Sequence, residues 1–250
     1  MESPTEASNR LESPESPVPT RMRRRLRRLA IIALVLCTVS AGFSVHFRNF
    51  LFQGNVGVVE PGRLYRSAQP RSNLEVLVRE HRLGSILNLR GGSERDDWYI
   101  AEVETADRLG VEFYDFPMSA VRRPRRQDLL AILDVLERCR YPLLIHCKSG
   151  SDRTGFAVGL YLMAQRSEPP LRAISAFTLD HGHVPLLGPE RLHEPFHEYA
   201  HYLRSTGLEH SPTRLRAWVE NEYVAEDRLS DARPVEPGSR LGRAPERRNR

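Results

Sequence analysis

The sequence predicts an α/β fold, a central and mostly parallel sheet flanked by helices, preceded by one transmembrane helix. Three observations carry this. Short apolar runs of strand length alternate with longer segments of helical periodicity. Glycine and proline punctuate the boundaries between them. A loop dense in small and charged residues lies directly after one apolar run and before a helix-like one, where open α/β sheets carry their ligand sites.

Residues 1–28 begin with a Ser-, Pro- and Glu-rich stretch and end in a run of arginines from Arg21 to Arg28, so they read as a disordered basic tail. Residues 29–47 hold no charged side chain except His46, and about nineteen residues span on the order of 28 Å as a helix. An arginine cluster before such a run is the pattern of an uncleaved signal anchor, with the N-terminus cytoplasmic and the rest extracytoplasmic. A cleaved signal is the rival, since Val39-Ser40-Ala41 resembles a small-residue cleavage site; the long polar leader favours the anchor.

The globular domain is expected over 57–224. Two extended pieces surround the Pro61-Gly62 turn, and a helix follows near 72–82. A strand at Ser85–Arg90, a helix at Asp96–Leu109 closed by Gly110, and a strand at Val111–Phe116 come next. Pro124 opens a helix to about Cys139, with Leu129, Leu130, Leu133 and Leu136 on its inner face. Pro142–Ile145 is the strand into the loop, and 156–166 the helix after it. Three further helices are expected at 170–179, 189–205 and 211–223, and 225–250 read as a charged, disordered tail.

The chain carries a net charge of +5, and arginine supplies the excess. No nucleic-acid motif accompanies it, which leaves anionic lipid or a phosphorylated substrate. Three cysteines, Cys37, Cys139 and Cys147, make no disulfide framework. Cys139 reads as a buried helix residue, with a protective disulfide to Cys147 as the alternative.

The informative stretch is His146-Cys147-Lys148-Ser149-Gly150-Ser151-Asp152-Arg153-Thr154-Gly155. A loop feeding a helix N-terminus points unpaired N–H groups inward and adds the positive end of the helix dipole, making an anion cradle. Lys148, Ser149, Gly150, Ser151, Asp152 and Thr154 would line it, and Arg153 offers a planar fork for two phosphate oxygens. The same field favours a thiolate at Cys147, a nucleophile placed under a bound phosphate.

This HCxxGxxRTG loop resembles the signature of the cysteine-dependent protein tyrosine and dual-specificity phosphatases, and Leu64-Tyr65-Arg66-Ser67-Ala68-Gln69-Pro70 resembles a motif of their bacterial and fungal dual-specificity-like branch. The resemblance implies Cys147 as nucleophile, Arg153 as phosphate ligand, and neither metal nor cofactor. Asp115, 32 positions before Cys147, has a spacing similar to that of the family's general acid. Asp152 is the rival acid, because Asp-Arg-Thr resembles myotubularin-type phosphoinositide phosphatases; otherwise it pairs with a neighbouring arginine. The Leu64–Pro70 motif is expected to cap the sheet and start a helix, and His183 to support the loop. Arg122, Arg123, Arg125 and Arg126 oppose the dipole of the helix they open, and so read either as a pocket rim or as a solvated basic face. The expected substrate is a phosphorylated protein, alternatively a phosphoinositide or inositol polyphosphate. A non-catalytic phosphate-binding module and a sulfurtransferase are the remaining rivals.

Overall fold

The computed structural model describes residues 20–46, 48–49 and 53–225. Of the tails expected at 1–28 and 225–250, residues 1–19 and 226–250 lie outside the described residues, and residues 20–28 are helical. The chain divides into two units, 1–46 and 47–250.

The first unit holds helix α1 (Thr20–His46). Its side chains Leu29, Ile31, Ile32, Leu34, Val35, Leu36 and Val39 are exposed. Among the described residues no helix is long and apolar enough to cross a membrane, so the transmembrane helix expected at 29–47 is not met. Arginines fill the first turns of α1. Past the arginines its described apolar side chains run from Leu29 to Ala41, roughly 20 Å against a hydrocarbon core of about 30 Å. The side chains at 43 and 45–47 lie outside the described residues.

The second unit contains a five-stranded sheet of order β1-β2-β5-β3-β4: β1 (Gly57–Glu60), β2 (Leu64–Ser67), β3 (Ser85–Asn88), β4 (Glu112–Asp115) and β5 (Leu143–His146). β1 and β2 form the antiparallel hairpin expected around Pro61-Gly62, and the pairs β2–β5, β5–β3 and β3–β4 are parallel. The mostly parallel sheet is therefore observed, with one antiparallel edge.

Side chains alternate across the sheet, and the two faces hold separate cores. Leu64, Leu87, Leu143 and Ile145 face α4 (Arg126–Arg138), α5 (Asp152–Arg166), α7 (Glu194–Thr206) and α8 (Pro212–Asn221). Tyr65, Ile86, Phe113 and Leu144 face α2 (Leu74–His81) and α3 (Asp97–Arg108). Helix α5 is buried on nearly every side from Thr154 to Tyr161, so it is the central helix of the thicker layer. The segment expected as one helix at 170–179 is instead α6 (Pro170–Ala173) followed by 3-10 turns at Ile174–Ala176 and Leu179–His181. Gly182, at φ +77, ends the last of these.

Candidate active site

The four strands β2, β5, β3 and β4 end level with one another. Ser67 pairs with His146, His146 with Asn88, and Asn88 with Asp115. This row is the C-terminal edge of the parallel sheet, and the loop from Cys147 to Ser151 rises from its centre into the N-terminus of α5.

The loop is fixed from beneath. The Lys148 carbonyl accepts from the Gln69 backbone N–H at 3.4 Å, and the Ser149 carbonyl from Asn55 Nδ2 at 2.8 Å. The Gly150 and Ser151 carbonyls accept from the Arg66 guanidinium at 2.9 and 3.4 Å, and the other Arg66 nitrogen donates to the Ala176 carbonyl at 2.8 Å. In a trans peptide the next N–H points opposite to the carbonyl. Tying these carbonyls outward therefore turns the N–H groups of Ser149, Gly150, Ser151 and Asp152 toward the loop's interior. Gly150 is required here, because at φ +71 a Cβ would lie 2.5 Å from the Ser67 and Ala68 backbone.

Arg66 is only 3% exposed, and burial lowers its pKa to about 10, so it stays a cation at neutral pH. Asn55 is held by a second bond to the His181 carbonyl at 3.0 Å and by His181 Nδ1, 2.7 Å from Asn55 Oδ1. Burial, reinforced by the Arg66 charge, depresses the His181 pKa to about 4. His181 is thus neutral, and its Nδ1–H donates to Asn55.

Cys147 is almost fully buried at the loop's base, and Lys148 and Ser149 are exposed at its crest. Arg153 donates through Nη1 to the carbonyls of Leu89 and Met118 at 3.2 and 3.3 Å, while its buried Nε has no partner. The guanidinium is anchored at one corner by the loops after β3 and β4. The Thr154 hydroxyl is buried and likewise unpartnered, in the first turn of α5.

The structure brings the seven loop residues together, from Cys147 to Arg153, and sets Asp115 apart. Asp115 stands two strands from His146, about 10 Å at normal strand spacing. Its Oδ2 accepts from Tyr99 Oη at 2.9 Å, while Oδ1 is buried without a partner. Burial holds its carboxyl above the usual range, against the opposing effect of the Tyr99 bond. Asp152 pairs with His183, not with an arginine, through Oδ1 at 2.8 Å from Nδ1. His183 is itself buried against Phe177 and His193.

Glu102 on α3 is a site residue that sequence reasoning did not single out. It is buried, accepts from Gln69 Nε2 at 2.6 Å, and places Oε1 2.7 Å from His146 Nε2. That last contact has ion-pair distance without hydrogen-bond alignment. Glu102 nonetheless links the residue before Cys147 to the residue that holds Lys148. Arg90 stacks over Trp98, with its guanidinium carbon 3.5 Å from the ring centre, and reaches Gln69 Oε1 at 3.5 Å.

The arginine cluster has a largely structural explanation. Arg123 bonds Glu198 at 2.6 Å and the Val224 carbonyl at 2.9 Å, and Arg126 bonds the Tyr223 carbonyl at 2.6 Å. These contacts clamp the segment after α8 against the start of α4. Arg125 and Asp128 form a capping box, which offsets the unfavourable dipole. A Cys139–Cys147 disulfide is excluded, because the two thiols flank β5 at opposite ends, on the order of 13 Å apart, and both are free. Among the described residues no group of His, Cys, Asp and Glu could hold a metal ion.

The chain is similar to the core catalytic domain of the PP-IP phosphatase SIW14 from S. cerevisiae in complex with citrate, at 20% identity and TM-score 0.47, covering 61% of this chain and 93% of that one. P. aeruginosa TpbA in complex with pTyr matches at 18% identity and TM-score 0.43, over 68% and 99% of the two chains. PTPMT1 in complex with PI(5)P matches at 17% identity and TM-score 0.42, over 60% and 98%. Residues 52–167, which contain Asp115, Cys147 and Arg153, match the model of the tyrosine phosphatase family.

Proposed function

We propose that the chain is a cysteine-dependent phosphatase that hydrolyses phosphate monoesters on phosphorylated proteins. The observation that carries this is the loop floor. The Lys148 to Ser151 carbonyls are tied outward, so a ring of N–H groups, the α5 dipole and the Arg153 fork converge above Cys147.

In the first step the Cys147 thiolate attacks phosphorus. The P–O bond to the substrate breaks, and the leaving oxygen takes a proton from a carboxylic acid. Water then gives a proton to that carboxylate as it attacks the cysteinyl-phosphate, and the S–P bond breaks to return the thiolate and release phosphate. The Thr154 hydroxyl, buried and unpartnered, is suited to donate to that departing thiolate. Asp115 is favoured as the acid. Its environment keeps the carboxyl protonated to higher pH, whereas Asp152 is engaged by His183. To reach a substrate Asp115 must leave Tyr99, and the Pro117 segment that follows gives it a loop on which to move.

A phosphoinositide or inositol polyphosphate is the second reading, supported by Lys148 exposed on the loop crest. Phosphate release by the full chain from a phosphotyrosine peptide and from a phosphoinositide, each compared with Cys147→Ser, ranks the two. Release that persists in Cys147→Ser would overturn the mechanism.

The arginines and exposed apolar side chains of α1 support attachment of the N-terminus to a membrane. Extracytoplasmic placement of the catalytic unit rests on the arginine cluster alone. A reporter active only outside the cytosol, fused after residue 240, tests it; a silent fusion with a working cytosolic reporter would reverse the orientation.

A further inference from the structure

The rim of the site carries an apolar tip that the catalytic reading leaves unused. Leu187 is 98% exposed, Leu186 66% and Val184 48%, and Val121 from the segment after β4 is 50% exposed. One exposed leucine needs no explanation, but several on one rim do. They are contiguous: a Cβ on Gly188 would lie 2.7 Å from Val121 Cβ, so the chain after Leu187 rests on Val121.

Leu187 adopts φ +61, a strained conformation for a large side chain. Among the described residues the other non-glycine residues at positive φ are Arg82 and Ser167, which end helices, and Asn55, whose side chain tolerates the region. The tip is held out by one backbone bond, Leu186 N–H to the Val184 carbonyl at 2.8 Å, and by Gly188 N–H donating to the Glu190 side chain at Oε2, 2.7 Å away.

Cations adjoin it. Val121 runs into the exposed Arg122. Arg122 and Arg191 border a cavity of about 540 Å³ that also touches Met118, whose carbonyl accepts from Arg153 at 3.3 Å. Aliphatic tip, arginines and phosphate-binding guanidinium thus share one side of the molecule.

We propose that this rim docks the catalytic unit onto an anionic lipid surface, with Val184, Leu186 and Leu187 entering the acyl boundary and Arg122 and Arg191 meeting headgroup phosphates. The composition favours lipid over a protein partner. Protein interfaces are anchored by aromatic residues, and this patch has none, whereas aliphatic side chains flanked by cations suit the edge of a bilayer. The inference stands on the composition of the rim and holds whichever phosphate ester is cleaved.

The test uses the full chain with Cys37→Ser and Cys147→Ser, leaving Cys139 buried. An environment-sensitive fluorophore is placed on Leu187→Cys or, as control, on Glu104→Cys, an exposed position of α3 on the opposite face of the sheet. Vesicles are phosphatidylcholine alone or with phosphatidylserine. With anionic vesicles the label at 187 shifts to the blue and brightens about twofold or more, the label at 104 does not, and Arg122→Glu reduces the response. No response at 187, an equal response at 104, or an equal response with phosphatidylcholine alone overturns the proposal. The label at 104 discounts attachment through α1, because that would bring both positions to the vesicle without burying either.

Discussion

Beneath the phosphate loop the polar groups are buried and committed, while a few residues away the rim leaves its apolar groups in water. Arg66 is 3% exposed and serves three carbonyls, whereas Leu187 is 98% exposed and touches solvent on nearly all sides. A thiolate mechanism needs donors held in place before the reaction, because reorganising them during it raises the barrier. Recognition of a large or lipid-bound substrate needs a surface that is still free. The floor is therefore where substitutions should cost catalysis, and the rim where they should cost location or choice of substrate.

The largest effect belongs to the proposed nucleophile: Cys147→Ser should lower phosphate release by at least about a thousandfold while circular dichroism stays unchanged. Asp115→Asn should lower kcat by about 10²–10⁴ on alkyl phosphates, and far less on substrates whose leaving group needs no proton. A loss equal across leaving groups would reassign the proton to Asp152. The same variant carries a pH signature. Since the folded pKa of Asp115 is raised from 3.8, the native state binds the proton more tightly, and wild-type stability falls as pH rises through that window. Denaturation against pH should show this slope in wild type and not in Asp115→Asn.

Arg66→Met should reduce kcat/KM by about ten- to a hundredfold, although Arg66 lies under the loop and away from its phosphate-binding side. A change under about threefold would mean that the floor is less demanding than its geometry implies. His181, depressed from 6.5 to about 4, should contribute stability that is present above pH 6.5 and lost as pH falls toward 4. His181→Asn should flatten that part of the curve. Leu187→Ser should change turnover of a small soluble ester by less than about twofold, and a larger loss would erase the distinction between floor and rim.

The contrast also explains what could be read from the sequence. The loop residues are contiguous, so Cys147, Arg153 and the strand and helix around them were legible from spacing. Arg66 and Gln69 stood in a recognisable motif, but their expected work was to cap the sheet; that they hold Lys148, Gly150 and Ser151 emerges only when β2 pairs with β5. Asn55 lies before the expected domain start at 57, yet it is fully buried and bonds a residue 94 positions away. Glu102 occupies an amphipathic helix among ordinary surface acids, and nothing local separates it from Glu104. The apolar run in α1 was legible, but run length alone did not give a spanning helix among the described residues.

The central claim is that phosphate passes through a covalent bond to Cys147, and acid quenching of the full chain during turnover tests it most directly. Mass spectrometry of the digested protein should find one added phosphoryl group on the peptide containing Cys147, absent from Cys147→Ser. Undiminished turnover with no phosphoryl group on that peptide, or with the label on another residue, would contradict it.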